Sequence, residues 1–375
     1  MIFRYACYLF WMIGFCFALD SFSKEFIPKV KVVTSFSILQ DLVENIGGEY
    51  VEVESLVGPD EDAHAYQPTP KDVKKLAHAD IIFVNGLGFE GWIERLIEGN
   101  AEKTPIVTVT QDILPQYRKG SVTPDPHFWH NPLLVQKAIR TITQALQKKD
   151  PIHRDVYQKN FEHYSNILDV LHQSNLEAFE SIPREKKIIF TNHDAFGYYG
   201  DAYAIRFIAP LGISTTAEPR LKTLIQMIKG IETHNIKTIF LENINGSKLM
   251  EQIAQEADVR IGVPLYSDAL SSPQGPASTY VDMIQYNTFL RKELMTCYGV
   301  ENISVFQPSH VKKSAGKGNA NKHYMIKAFQ DDVLNDKNLR KTKLWKYVQG
   351  KDYSEKIPKP LDDLVDSYFI LNANK

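Results

Sequence analysis

The chain has 375 residues, a formal net charge of −2 and 43% hydrophobic residues. This length predicts two domains, and the ordinary composition predicts a folded, globular protein. The near-neutral charge argues against a general nucleic-acid-binding surface, because such surfaces carry a clear basic excess.

The N-terminus predicts a secretory signal peptide, residues 1–18. Arg4 precedes an uncharged apolar stretch ending at Ala18, which is shorter than the roughly 20 residues of a transmembrane helix. Small residues at Cys16 and Ala18 suit cleavage after Ala18. An uncleaved membrane anchor and a lipoprotein cut before Cys16 are alternatives, although the bulky Phe15 fits a lipoprotein site poorly. Cleavage leaves Cys297 alone, so the exported chain has no intramolecular disulfide.

Residues 28–150 alternate short β-branched or aromatic runs with amphipathic stretches. This alternation predicts βα units around a mostly parallel sheet. The predicted strands are residues 30–34, 51–57, 80–84 and 106–109; the predicted helices are residues 38–46 and 89–97 and two that begin at Pro70 and Pro132. These elements form a first α/β lobe.

Residues 151–183 predict one long helix that links two lobes. The segment from Pro151 to Ile182 has no Gly and no internal Pro, and its apolar residues recur at helical spacing. Pro151 suits the first turn and Pro183 stops the helix. A rigid helix of this kind permits tilting of the lobes but opposes a wide, jaw-like opening.

The strand–helix rhythm resumes in residues 184–298, with predicted strands at 187–191, 237–241 and 260–263. A final helix is predicted from about Ala277 to Cys297. The predicted fold class is therefore α/β, with two lobes of mostly parallel sheet joined by one long backbone helix.

Four polar side chains lie at turns just after predicted strands: His64, His127, His193 and Asp268. Imidazole nitrogen and carboxylate oxygen are donors for zinc, manganese and iron, and loops at the carboxyl ends of strands bind ligands. A single histidine is more often a hydrogen-bonded structural residue than a ligand, so the combination carries the prediction.

Five segments carry a family resemblance: Gly58–Pro70, Asp125–Pro132, Thr191–Tyr199, Leu265–Ser271 and Ala277–Asn287. They resemble the TroA-like substrate-binding proteins of bacterial ABC importers for zinc, manganese or iron, across residues 28–298. The resemblance implies a metal in the cleft between the lobes, with His64 and His127 from the first lobe and His193 and Asp268 from the second. It also implies a periplasmic monomer without enzymatic activity that delivers its metal to a membrane permease and its ATPase.

The resemblance leaves the cargo open between zinc and manganese, with Fe²⁺ as a third candidate. In this family, histidine at the position of His193 accompanies zinc or mixed specificity, whereas glutamate accompanies manganese and iron. The long His- and acid-rich loop of many zinc-specific members is missing between His64 and His127. Nitrogen-rich ligands favour zinc for tightness in vitro.

Outer groups should hydrogen-bond the ligands, because three imidazoles and one carboxylate leave a divalent ion with about one net positive charge. The candidates are Asp125, Asp194 and Glu242, each of which is equally well explained as a helix cap or surface charge. His130 is a competing ligand, but the family pattern favours His127.

The alternative function is a secreted metal-dependent hydrolase, because three histidines and one aspartate around zinc also activate water. A hydrolase needs an open coordination position and a general base, and the sequence offers no HExxH-like motif near the four segments. A surface adhesin is a third possibility without direct support in the sequence.

Residues 299–375 lie beyond this resemblance and begin with a basic excess that includes Lys312 and Lys322. The stretches Pro308–Lys322 and Pro360–Tyr368 resemble the end of a phage-type Holliday-junction resolvase, with Asp363 and Asp366 at its final acidic pair. The earlier strands of such a nuclease are missing, so we expect a remnant that does not cleave DNA and has no role in metal uptake. A solvated extension is the alternative.

Overall fold

The computed structural model describes residues 28–296 apart from 94–95, 97–103, 119–120, 217–220 and 245–247. The predicted signal peptide and the predicted tail lie outside these residues. None of the described helices has the length and apolar character needed to cross a membrane.

The first lobe is built on a four-stranded parallel sheet in the order β2-β1-β3-β4. Its strands are β1 (Val30–Phe36), β2 (Val51–Val57), β3 (Ile81–Val84) and β4 (Ile106–Thr108). The apolar run of β3 is buried along its whole length, as expected for an inner strand of a sheet covered on both faces.

Three helices cover this sheet: α1 (Ser37–Gly47), α2 (Pro70–His78) and α3 (Pro132–Lys149). Residues next to the first turn cap two of these helices. Thr69 and Asp72 form a capping box at the start of α2, and the Asn131 side chain accepts the backbone N–H of Leu133 at the start of α3. Both α2 and α3 begin with a proline, which suits the first helical position.

The long link is a 3₁₀ turn (Pro151–His153) followed by α4 (Arg154–Glu180). The predicted long helix is therefore present and ends just before Pro183. Its buried face carries Tyr157, Tyr164, Leu168, Leu171 and Phe179. All except Phe179 belong to the core of the first lobe, and Phe179 belongs to the core of the second. The helix thus packs against both lobes.

The second lobe contains two parallel strand pairs, β7 (Ile188–Phe190) with β8 (Arg206–Ile208) and β9 (Thr238–Glu242) with β10 (Arg260–Leu265). Its helices are α5 (Gly197–Tyr203), α6 (Leu221–Thr233) and α7 (Lys248–Glu256). The final helix is α8 (Tyr280–Thr296). Tyr280, Met283 and Ile284 of α8 pack into the core of the first lobe, so this helix returns across the molecule.

The strand β8 of the second lobe was not predicted, and two features of the first lobe also differ from the sequence prediction. A short antiparallel hairpin, β5 (Gln116–Tyr117) and β6 (Pro124–Asp125), precedes the second ligand segment and was not predicted, because two-residue strands leave no periodic pattern. Residues 89–92, the start of the helix predicted at 89–97, form a turn instead, which follows Leu87 and Gly88 with their positive φ angles. Ile93 and Leu96, the described residues in the rest of that prediction, are helical.

Candidate metal centre

The four predicted ligand positions converge at the carboxyl ends of strands from both lobes. His64 lies in the loop after β2, His127 follows β6, His193 follows β7 and Asp268 follows β10. Each side chain lies beyond the point where strand pairing ends, so its backbone is free to turn the side chain into the cleft.

The ligand atoms lie at distances that suit one metal ion. Nε2 of His64 is 3.2 Å from Nε2 of His127 and 3.4 Å from a carboxylate oxygen of Asp268. Asp268 is also 3.6 Å from Nε2 of His127 and 3.1 Å from Nε2 of His193. A tetrahedron with zinc–ligand bonds of about 2.0–2.1 Å has edges of roughly 3.3–3.4 Å. All four ligand atoms lie within 4.8 Å of one another.

The cluster is buried. The side chains of His127, His193 and Asp268 are 0% exposed, and that of His64 is 4% exposed. Nε2 of His193 and both carboxylate oxygens of Asp268 are close to their neighbours without the geometry of a hydrogen bond. A buried polar atom without a hydrogen-bond partner destabilises the fold unless another group binds it, and a cation among these atoms would do so.

Two histidines of the cluster, His127 and His193, are oriented by a carboxylate at Nδ1, the ring nitrogen that faces away from the cluster. Nδ1 of His127 is 2.8 Å from Oδ1 of Asp125, which also accepts the backbone N–H of His127 at 3.0 Å. Glu242 at the end of β9 forms the same pair of contacts with Nδ1 and the backbone N–H of His193. Each contact leaves Nε2 directed at the metal position and makes the imidazole a stronger donor.

The loops that carry the other two clustered side chains, His64 and Asp268, are held by hydrogen bonds to the backbone. Oδ1 of Asp62 accepts the backbone N–H of His64 at 2.9 Å, and Oδ2 of Asp62 accepts the hydroxyl of Thr215 from the second lobe. Asn287 of α8 bonds both backbone groups of Tyr266, two residues before Asp268. The loops of His64 and Asp268 are therefore tied to elements distant in sequence.

The carboxylates set the ionisation of the histidines as long as no cation lies among them. Burial lowers the pKa of His127, but Asp268 and Asp125 outweigh burial and raise it to about 9. Burial is similarly outweighed at His193, where Glu242 and Asp268 raise the pKa well above its usual value. At His64 burial prevails and lowers the pKa to about 3.

Two aspartates of the site have lowered pKa values. Burial would raise the pKa of Asp268, but His193 and His127 hold it well below its usual range. The pKa of Asp125 is lowered despite burial by His127 and by Arg118, whose Nε lies 2.8 Å from Oδ2. Asp268, Asp125 and Glu242 with Arg118 carry a net charge of −2, so a divalent ion among neutral imidazoles makes the group electroneutral.

The sequence also proposed Asp125, Glu242 and Asp194 as groups around the metal position and His130 as a competing ligand. Asp125 and Glu242 contact ligands as described above. Asp194 is a neighbour whose backbone N–H donates to the Gly212 carbonyl, and burial raises the pKa of its carboxyl group. The ring of His130 packs against Phe196 with centroids 4.5 Å apart, and His130 is not one of the four clustered residues.

The sequence interpretation missed Asp62 and Arg118. A local signal exists for Asp62, because Asp62-Ala-His64 and Asp125-Pro-His127 share the spacing Asp-X-His. In both, the aspartate accepts the histidine backbone N–H two residues later, an Asx turn. Arg118 carried no comparable signal, because its contacts with Gln116 and Asp125 depend on the unpredicted hairpin β5–β6 and its contact with Asp201 depends on the packing of the lobes.

Comparison with known proteins agrees with this geometry. A profile of the family described as zinc-uptake complex component A, periplasmic, matches residues 32–289. The chain belongs to this family. The iron-binding protein YfeA of Yersinia pestis is 33% identical to this chain over 259 residues, which cover 68% of this chain and 83% of that protein.

Two further relatives extend the range of metals in the family. The manganese ABC transporter substrate-binding lipoprotein PsaA of Streptococcus mitis is 30% identical over 272 residues, covering 69% of this chain and 87% of that protein. The structure of the periplasmic zinc-binding protein TroA from Treponema pallidum superposes with a TM-score of 0.69 at 27% identity, covering 71% of this chain and 99% of that one. The family consists of metal-binding ABC transporter components, so the hydrolase alternative loses its support.

Proposed function

We propose that the chain captures one divalent transition metal, zinc or manganese, with His64, His127, His193 and Asp268, and delivers it to an ABC permease and its ATPase. The observation that carries the proposal is the convergence of four buried ligand atoms from two lobes on a space the size of one ion. Four protein ligands fill a tetrahedral site, whereas a catalytic zinc keeps a position open for water. The arrangement favours holding an ion over activating water.

The test uses the full-length exported protein, purified without chelator. We expect stoichiometric metal, and we expect zinc and manganese each to raise the melting temperature of the metal-free protein, since the ion binds the native cleft better than the unfolded chain. Ligand at 100 times its Kd adds about 2.7 kcal/mol to the free energy of unfolding. Magnesium, which prefers oxygen ligands, is the control. A melting temperature unchanged by zinc and by manganese at neutral pH contradicts the proposal.

The choice between zinc and manganese rests on the donor set. Three nitrogen donors and one carboxylate bind zinc more tightly than manganese in vitro, because affinity follows the Irving–Williams order. The relatives named for zinc, manganese and iron indicate that the shared fold serves several cargoes. We therefore propose zinc as the tighter ligand in vitro, and competition between the two metals on one sample measures the ratio.

The structure refines the test of the third ligand. His193→Glu introduces a hard oxygen donor that favours manganese, but it also places two carboxylates together at Glu242. We expect the double substitution His193→Glu with Glu242→Gln to lower the zinc-to-manganese affinity ratio by about tenfold, equivalent to ~1.4 kcal/mol. Glu242→Gln alone is the control. A ratio equal to that of the parent would place His193 outside the ligand set.

For localisation, we propose an extracytoplasmic protein. The lipoprotein name of the S. mitis relative gives lipid attachment at Cys16 more weight than the sequence alone did. The mass of the mature N-terminus in the native host separates cleavage after Ala18 from lipidation at Cys16. Loss of membrane association in Cys16→Ser is the expected result if Cys16 carries the lipid.

The resolvase resemblance of residues 299–375 finds no support, since the family profile ends at residue 289 and the tail lies outside the described residues. We propose that this tail is silent in metal capture, because all four ligands and α8 precede residue 297.

We expect a protein ending at Tyr298 to match the full chain in metal affinity, within about twofold, and in the thermal stability gained from zinc. Isothermal titration and thermal melts of the two proteins test this expectation. Loss of binding in the shorter protein would mean that the tail completes the site. Incubating the full chain with a four-way DNA junction and magnesium tests the hypothesis that the tail is a nuclease. We expect no cleavage of the DNA.

A further inference from the structure

Arg118 joins the metal centre to the opposite lobe. The residue follows β5 in the first lobe, and its guanidinium bonds three acceptors through three different nitrogens. Nε donates to Oδ2 of Asp125 at 2.8 Å, Nη2 to the Gln116 side chain at 3.0 Å, and Nη1 to Asp201 of α5 at 3.4 Å. One planar group therefore contacts both lobes.

The Asp125 carboxylate is shared between Arg118 and a metal ligand. Its Oδ2 faces Arg118, while its Oδ1 accepts the backbone N–H and faces Nδ1 of His127. Because the carboxylate is fully buried, its orientation depends on these partners. Arg118 thus lies two contacts from the His127 ring, and it limits rotation of the carboxylate that orients this ring.

The second lobe holds Arg118 by shape as well as charge. A Cβ atom added to Gly197, the first residue of α5, would overlap the guanidinium. The next residue, Tyr198, places its ring 5.8 Å from Cζ of Arg118, and its hydroxyl donates to the Asp125 backbone carbonyl at 3.1 Å. The Tyr198 hydroxyl also accepts the Gln116 backbone N–H. We name the hairpin β5–β6 with α5 the interlobe seam.

Asp201 alone explains little of this arrangement. Its side chain is 60% exposed and its contact with Arg118 is long, so the ion pair is weak by itself. The buried contact with Asp125 and the space left by Gly197 are the stronger constraints on Arg118.

We propose that Arg118 is a positioning residue that makes His127 a firm ligand only while the two lobes are closed on each other at the interlobe seam. Closure seats the guanidinium against α5, the guanidinium fixes Asp125, and Asp125 fixes the His127 ring. Separation of the lobes releases the same chain of contacts and loosens one ligand. The inference rests on the proposed function, since it needs a metal ligand to position.

Two variants from opposite lobes test the proposal. Arg118→Lys keeps the positive charge but replaces a planar fork of three nitrogens by a single one, so the three acceptors cannot all be bonded. Gly197→Ala changes no polar group and displaces the guanidinium from α5. Arg140→Lys is the matched control, because Arg140 is an exposed arginine of α3 stacked over Phe161.

The measurements are the release rate of zinc to excess chelator, the visible spectrum of the Co²⁺ form and the melting temperature of the metal-free protein. We expect both variants to release zinc about tenfold faster and to shift the Co²⁺ bands, with Arg140→Lys matching the parent. Metal-free melting temperatures should stay within a few degrees of the parent.

An unchanged release rate in either variant overturns the proposal. Faster release with an unaltered Co²⁺ spectrum and a lowered metal-free melting temperature also overturns it, because that pattern describes general loosening of the fold. A parent protein that binds no zinc, manganese or cobalt is a failure of the proposed function and is visible before any variant is made.

Discussion

Asp268→Asn should lower zinc affinity by roughly 10²–10⁴-fold, equivalent to about 3–5 kcal/mol. Asp268 is the one anionic ligand of the four, and its oxygens lie 3.1–3.6 Å from the Nε2 atoms of the three histidines. The amide has the same shape but no charge, and its NH₂ group would face imidazoles or the ion. The substitution therefore removes a charge from a buried site, where an uncompensated ion is costly.

Zinc affinity measured by competition with a chromophoric chelator checks this expectation. Asp112→Asn is the control, since Asp112 is exposed and lies outside the cluster. The melting temperature of each metal-free variant separates lost binding from lost folding. A zinc affinity within tenfold of the parent would show that Asp268 is not a ligand.

Metal affinity should rise about 100-fold for each pH unit around neutrality, because binding displaces two protons. The histidines that carry them are His127, with a pKa of about 9, and His193, whose pKa is raised well above its usual value. His64, with a pKa of about 3, is already neutral. The entering divalent ion replaces the charge of the two protons that leave. The total charge of the three imidazoles with Asp268, Asp125, Glu242 and Arg118, counting the ion once it is bound, is therefore zero before and after binding.

The folding stability of the metal-free protein should change in the opposite direction and fall as the pH rises. The pKa of His127 in the folded state exceeds its ordinary value of 6.5, so the stability it contributes is complete below pH 6.5 and is lost as pH rises through about 9. Raising the pH across this window should thus weaken the metal-free fold while it strengthens metal binding.

Calorimetry at pH 7 in buffers of different ionisation enthalpy counts the released protons, and we expect about two. His234→Gln, which removes an exposed histidine beyond the metal centre, should leave the count unchanged. Three unperturbed histidines would instead release few protons at pH 8 and give a flat profile above it. That flat profile would contradict the raised pKa values.

The amino-acid sequence by itself determined the parts of the site that rest on local chemistry. His64, His193 and Asp268 each follow a predicted strand, and loops at the carboxyl ends of such strands are where α/β folds bind ligands. His127 follows the unpredicted hairpin β5–β6, and its residue type and the family pattern indicated it. The long helix was predictable for the same kind of reason, since helical spacing and two flanking prolines are local signals.

Only the tertiary structure decided how groups distant in sequence contact these side chains. Glu242 reaches His193 across 49 residues because β7 and β9 end side by side, and Arg118 reaches Asp201 across 83 residues because the lobes close on each other. The hairpin β5–β6 is likewise too short to carry a periodic pattern. Contacts of this kind depend on the packing of whole elements, which no local propensity or spacing encodes. They set the charge, the proton count and the orientation of the side chains that the sequence proposes as metal ligands.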